Sequence, residues 1–191
     1  MATPDQRIEH DKARATADAV ARASYGRLVA RLARRWADLT RAEDALADAF
    51  ERALRTWPDT GLPDHPEAWL LTTAHRRLID GARQFDVQAR AEPELQRLLE
   101  EVSERADPDA LPDDRLGLML ACAHRDLDPA LHTPLMLQAV LGLDAARIGA
   151  AFLVSPAAMS QRLSRGKARL REGGARFEQP GKDQLAARIT P

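Results

Sequence analysis

One cysteine, Cys122, stands in the whole chain, so no intramolecular disulfide can staple the fold. Aromatic residues are also scarce, at 4% against 45% hydrophobic overall, and that balance favours helices over sheets. Long apolar runs are missing. The longest, around Leu116 to Ala123 and Leu135 to Leu143, fall far short of the ~20 residues a bilayer span requires. The N-terminus, Met-Ala-Thr-Pro-Asp-Gln-Arg, lacks the apolar core of a signal peptide, so the expectation is a cytoplasmic protein with no membrane partner. Net charge is nearly absent too. A formal value of −1 argues against a nonspecific nucleic-acid coat, although local charge outweighs the sum.

What the chain does have is Ala, Leu and Arg, all strong helix formers, and no stretch alternates apolar and polar residues in the manner of a strand. The expectation is an all-α protein. Its 191 residues suit one or two small domains. Between Glu92 and Asp114 nine acids stand against two bases, Arg97 and Arg105. Taken alone, that stretch reads as a solvated linker, and removing it leaves a clearly basic remainder.

Ser155 to Arg171 reads as a capped helix. Ser155 is a good N-cap, Pro156 occupies the first helical position, and Met159, Leu163 and Leu170 recur at helical spacing. Ser160, Gln161, Ser164 and Arg165 then share the outward side, and Arg162, Lys167, Arg169 and Arg171 add cations suited to phosphate. A solvated basic surface helix fits the same residues. The preceding Asp144 to Leu153 is a short helical pattern with Ile148 and Phe152 one turn apart. Two helices separated by Val154 and a cap make a helix-turn-helix, whose second helix enters the major groove. Leu153 sits where such turns often prefer glycine; leucine fits there only with negative φ or with its strain offset by burial.

The first half, from about Ala17 to Arg83, reads as three helices. The first carries Val20, Leu28, Leu32 and Trp36 on one stripe, widened by Tyr25 and Val29, and runs to about Ala37. The second opens on Thr40-Arg41-Ala42-Glu43, a capping box, and is expected to stop at Pro58. A loop from Pro58 to His65, rich in Pro, Gly and Asp, leads into a third helix starting at Pro66. That helix mixes Trp69, Thr73, His75, Arg76, Arg77 and Arg83, a set suited to stacking on unpaired bases beside phosphates. For Trp69 a core anchor is the other reading.

Ala42 to Leu54 (Ala-Glu-Asp-Ala-Leu-Ala-Asp-Ala-Phe-Glu-Arg-Ala-Leu) closely resembles the polymerase-binding helix of bacterial extracytoplasmic-function (ECF) sigma factors. Pro66 to Leu70 and Ala74 to Arg83 resemble that family's promoter-melting helix, and the helix-turn-helix resembles its second DNA-binding domain. The resemblance covers roughly residues 17 to 172. It implies two small helical domains joined by an acidic linker: 1–88 for core polymerase and the −10 element, 89–112 as the linker, and 113–174 for the −35 element. Residues 175–191 would be a tail or the start of an extension. Leu111 to Leu116, Leu120 to His124 and Ala151 to Val154 further resemble an ECF subgroup that continues into a C-terminal helical-repeat region, implied to regulate it in place of an anti-sigma protein. On that resemblance Gln184 to Pro191 is where such an extension would start, shortened or cut away.

By resemblance, Asp44, Asp48, Phe50 and Arg52 face core RNA polymerase, with a core role the other reading of Phe50. Trp69, Thr73, His75, Arg76, Arg77 and Arg83 lie near the −10 element of promoter DNA, and the loop before them receives a flipped base. Arg76 departs from the family's common asparagine and loses that residue's carbonyl acceptor. Ser160, Gln161, Ser164 and Arg165 face the −35 element, with Arg162 and Lys167 toward phosphate. The linker would thread toward the polymerase's active-site channel.

An enzyme is not indicated. Cys122 and His124 have no second ligand pair, His10, His65, His75 and His132 show no ligand spacing, and no nucleophile and base cluster in a motif. No metal or cofactor is expected, and Cys122 reads as a small buried residue. Two other readings stand beside the sigma factor: a helix-turn-helix repressor that dimerises through its first domain, and a sigma-derived module that binds only protein.

Overall fold

The computed structural model describes residues 4–83, 114–175 and 177. The acidic linker and most of the tail lie outside the described residues. Seven helices and no strand are found among them, so the all-α expectation holds. The helices are α1 (Pro4–Trp36), α2 (Leu39–Thr60), α3 (Pro66–Arg83), α4 (Arg115–Cys122), α5 (Pro129–Ala139), α6 (Ala145–Ala151) and α7 (Pro156–Glu172). They form two compact units. The first takes α1 as far as Leu28 with α2 and α3; the second takes Val29–Leu39 with α4 to α7. The second unit therefore includes a segment that the sequence reading left in the first domain.

Three helix ends differ from the sequence reading. α1 begins at Pro4, before any apolar stripe, because Asp5 complements the helix dipole and the early turns are held by local bonds, Lys12 Nζ to Glu9 Oε1 at 2.8 Å among them. α2 begins at Leu39, one residue before the expected cap, which puts the nearly buried Asp38 in the preceding position. It also runs through Pro58 to Thr60. In the last turn proline removes one hydrogen bond without breaking the helix, and the stop is Gly61 at φ +83, whose N–H donates to the Trp57 carbonyl.

In the first unit small residues let α2 pack closely: Ala42, Ala45, Leu46, Ala49, Ala53 and Trp57 are buried at helical spacing. Trp57, 1% exposed, meets Trp69 of α3 edge to face at 5.4 Å between ring centres. Glu67, in the first turn of α3, accepts from Ser24 Oγ and from Arg27 Nη2 at 3.2 Å, tying α1 to α3. In the second unit Leu118, Leu135, Ile148, Met159 and Leu163 are fully buried, with Cys122 among them as expected. Arg34 Nη1 donates to Asp114 Oδ1 at 2.7 Å, and this carboxylate is almost wholly buried just before α4.

Candidate functional site

Two charged helix faces emerge, one in each unit. On α2 the buried residues leave Asp44 and Asp48, one turn apart, on the exposed side. Opposite them α3 buries Leu70, Leu71, Ala74, His75, Leu78 and Ile79 and turns outward Trp69, Thr73, Arg76, Arg77 and Asp80. The two faces meet along a groove of about 320 Å³ lined by Arg41, Asp44, Asp48 and Arg77. Across it Arg77 Nε donates to Asp48 Oδ2 at 2.7 Å. That bond, reinforced by the Asp48 charge, raises the pKa of the Arg77 guanidinium above its ordinary value. Arg41 Nη2 reaches the Leu78 carbonyl at 3.5 Å, a long contact that positions it at the groove wall.

The residues expected on these helices therefore separate into groups. Asp44, Asp48 and Arg77 come together in one groove, and Arg52 is exposed farther along α2. Phe50 is half-buried and shares its flank with the exposed Leu54 four residues on, away from the two aspartates. Trp69 is half-buried against Trp57, combining the two roles the sequence left open: part of the ring anchors the core and part stays at the surface. Thr73 is half-buried and Arg76 exposed on the same face. His75 is the correction. It is 4% exposed, because positions 71, 75 and 78 share the buried register, so it does not stand on the surface where the sequence placed it. Arg83 ends α3, with its side chain outside the described residues.

The sequence reading placed Tyr25 only on the flank of the α1 stripe and gave it no part in a site. Its phenol lies close enough to Glu43 and Asp44 to feel their charge, and burial first, then these carboxylates, push its pKa well above the ordinary tyrosine value. It stays a neutral hydroxyl beside the α2 acids. Only its nearness to the acids of a second helix gives it this environment.

In the second unit α6, a tight turn and α7 follow one another as expected. Asp144 Oδ1 caps α6 by accepting from Arg147 N at 2.8 Å, and Ser155 Oγ caps α7 by accepting from Ala158 N. The turn, however, satisfies neither condition set for leucine. Leu153 has φ +55 and is 96% exposed, so its left-handed strain is neither avoided nor offset by burial. Backbone bonds hold it there: Val154 N donates to the Gly149 carbonyl at 2.8 Å and Leu153 N to the Ala150 carbonyl at 3.3 Å, the paired bonds of a Schellman motif. The glycine this turn requires is Gly149, where a Cβ would lie 2.7 Å from the Val154 carbonyl oxygen.

α7 buries Met159, Leu163, Gly166 and Leu170. Ser160, Gln161, Ser164 and Arg165 are all exposed, the first three grading into Lys167 and Arg171 on one side and Arg165 into Arg162 and Arg169 on the other. Among the described residues no group of three potential metal ligands is found, and no helix is long and apolar enough to cross a membrane.

Residues 22–86 match the family described as Sigma-70 region 2, a span that includes the whole of α2 and α3. The chain is 37% identical over 163 residues, 83% of its length, to an uncharacterized protein of Rhizobium meliloti (strain 1021), and it spans 38% of that protein's length. No solved structure matches it. The region 2 match thus lies over the two helices that line the charged groove.

Proposed function

We propose that this chain is a sigma factor of the ECF type, which binds core RNA polymerase and directs promoter recognition and melting. The observation that carries the reading is the coincidence of the region 2 match with a unit in which α2 exposes Asp44 and Asp48 while α3 exposes Arg76 and Arg77 and leaves Trp69 and Thr73 half-buried beside them. In this reading α2 docks on polymerase, the outward face of α3 with the loop before it holds unstacked bases of the −10 element, and α7 reads the −35 element through Ser160, Gln161, Ser164 and Arg165. Unstacking costs a few kcal/mol per step, and stacking on an aromatic or arginine side chain returns about 1–3 kcal/mol per base. The exposed part of Trp69 and the guanidinium of Arg76 supply that return. All bond chemistry stays with the polymerase, and regulation falls to an anti-sigma protein or a helical extension.

The test is gel-filtration co-elution with sigma-free core polymerase, comparing wild type with an Asp44→Ala, Phe50→Ala variant shown by circular dichroism to be folded. Co-elution by wild type and its loss in the variant is the expected result. Failure of wild type to co-elute, together with tight binding to duplex DNA in the absence of polymerase, overturns the reading in favour of a repressor.

A further inference from the structure

Between α5 and α7 lies an open groove of about 520 Å³, a size that suits a small ligand or a few side chains. α7 approaches α5 closely because Gly166 has no side chain: a Cβ there would stand 3.1 Å from Leu135 Cδ1 and 3.5 Å from Leu131 Cδ1. Leu127, Ala130 and Leu131 give the groove an apolar surface, with Leu131 half-buried and Ala130 exposed. Arg162, Arg165 and Arg169 line it from α7, and all three are exposed. Arg165 Nε donates to the Gln161 carbonyl of its own helix at 3.4 Å, which leaves the ends of that guanidinium open.

Acids enter the groove from the other side. Asp128 Oδ1 accepts from Ala130 N at 2.9 Å as the cap of α5, and Asp126 lies 3.6 Å from His124 Nδ1 and 3.9 Å from Arg125 Nε. Three guanidinium groups and two carboxylates thus meet around one apolar surface. A polyanion suits this set badly, because the carboxylates repel it, and a duplex is broader than the space between two packed helices. A short peptide suits it better. Its acidic side chains take the arginine forks, an apolar side chain covers Leu131, and a backbone N–H or a lysine faces the aspartates.

We propose that this groove docks a peptide segment of a protein partner, one that carries acidic side chains on either side of leucine-like ones together with a cation. The reach fits. Arg162 and Arg169 are separated by about 10 Å at 1.5 Å per helical residue, and an extended chain covers that distance in about three residues at ~3.3 Å each. Carboxylates at the two ends of such a stretch meet Arg162 and Arg169, and the apolar residue between them lies over the groove floor. Arg162 and Arg165 are also residues that the proposed function gives to DNA, so a seated peptide and a duplex on α7 should exclude one another. That exclusion rests on the proposed function; the docking itself does not.

Full-length protein is titrated by fluorescence anisotropy with a labelled decapeptide of two Glu-Leu-Leu-Glu-Lys repeats and with a charge-matched control in which serine replaces leucine. The leucine peptide should bind about tenfold more tightly or better, the return from burying one leucine. Ala130→Trp fills the groove from α5 while leaving the arginines of α7 in place, and should lower peptide affinity about tenfold. Arg169→Ala should lower it about fivefold, the size of one exposed charged contact. Should Ala130→Trp fail to fold by circular dichroism, Leu131→Gln carries the same comparison, with loss of the preference for leucine as its expected result. The proposal is overturned if the serine peptide or inorganic tripolyphosphate competes as well as the leucine peptide, which would make the groove a general anion site. It is likewise overturned if a folded Ala130→Trp binds the peptide as wild type does, since the peptide then sits elsewhere. Peptide that is lost in Ala130→Trp yet not displaced by a random-sequence duplex keeps the docking groove and counts against the DNA role of α7.

Discussion

The two charged grooves, one in each unit, treat their arginines differently. In the first, Arg77 is bonded to Asp48 across the α2–α3 groove, and Arg27 to Glu67 between α1 and α3. In the second, Arg162, Arg165 and Arg169 line a groove with no acid partner among the described residues. Pairing inside a fold satisfies a charge and fixes a side chain; leaving it open keeps desolvation and ordering for a ligand to complete. The first face is thus set by its own protein partners, and the second leaves its guanidinium groups exposed to solvent.

The largest expected effect tests whether the first face is held by its core. Trp57→Ala removes a fully buried ring and the partner of Trp69, and should cost about 3–5 kcal/mol in urea denaturation. If the cost is below about 1 kcal/mol, the α2–α3 face is not built on that aromatic pair. Gly149→Ala asks the same of the second unit. A Cβ 2.7 Å from a backbone oxygen forces the turn open, at about 1–3 kcal/mol, and hydrogen exchange should accelerate in α6 and α7 before α2 and α3.

Leu153→Gly works in the other direction. Relief of a left-handed leucine whose side chain touches almost nothing should stabilise the protein by about 1 kcal/mol, with circular dichroism otherwise unchanged; a loss of stability would mean Leu153 has a contact the turn depends on. The smallest effect belongs to the Asp48–Arg77 pair. Both groups are well exposed, so a double-mutant cycle at physiological salt should give a coupling too small to separate from zero, growing as salt is lowered. A coupling that ignored salt would show the pair to be less solvated than its geometry says.

The helices were legible where local chemistry marks them. Ser155-Pro156 followed by Met159, Leu163 and Leu170 announces α7, and Pro66 announces α3. The start of α1 was not legible, because Pro4 to Thr16 has no apolar stripe to read. Pro58 misled because its position in the last turn costs only one hydrogen bond. His75 could have been placed correctly from its register with Leu71 and Leu78, since a polar residue on a buried stripe follows the stripe. The Asp48–Arg77 bond, the Tyr25 environment and the approach of α7 to α5 at Gly166 join residues far apart in sequence, and no local pattern encodes them.

The division of α1 has a consequence for how this protein can be taken apart. Because Val29–Leu39 belongs to the same compact unit as α4 to α7, a fragment begun at Asp113 would lack a piece of its own interior, and one ended there would carry a helix tail with nothing to cover it. The halves are not interchangeable cassettes. Swapping them between relatives would succeed only if the donor brought residues 29–39 with it, a seam that the linker's composition gives no reason to look for.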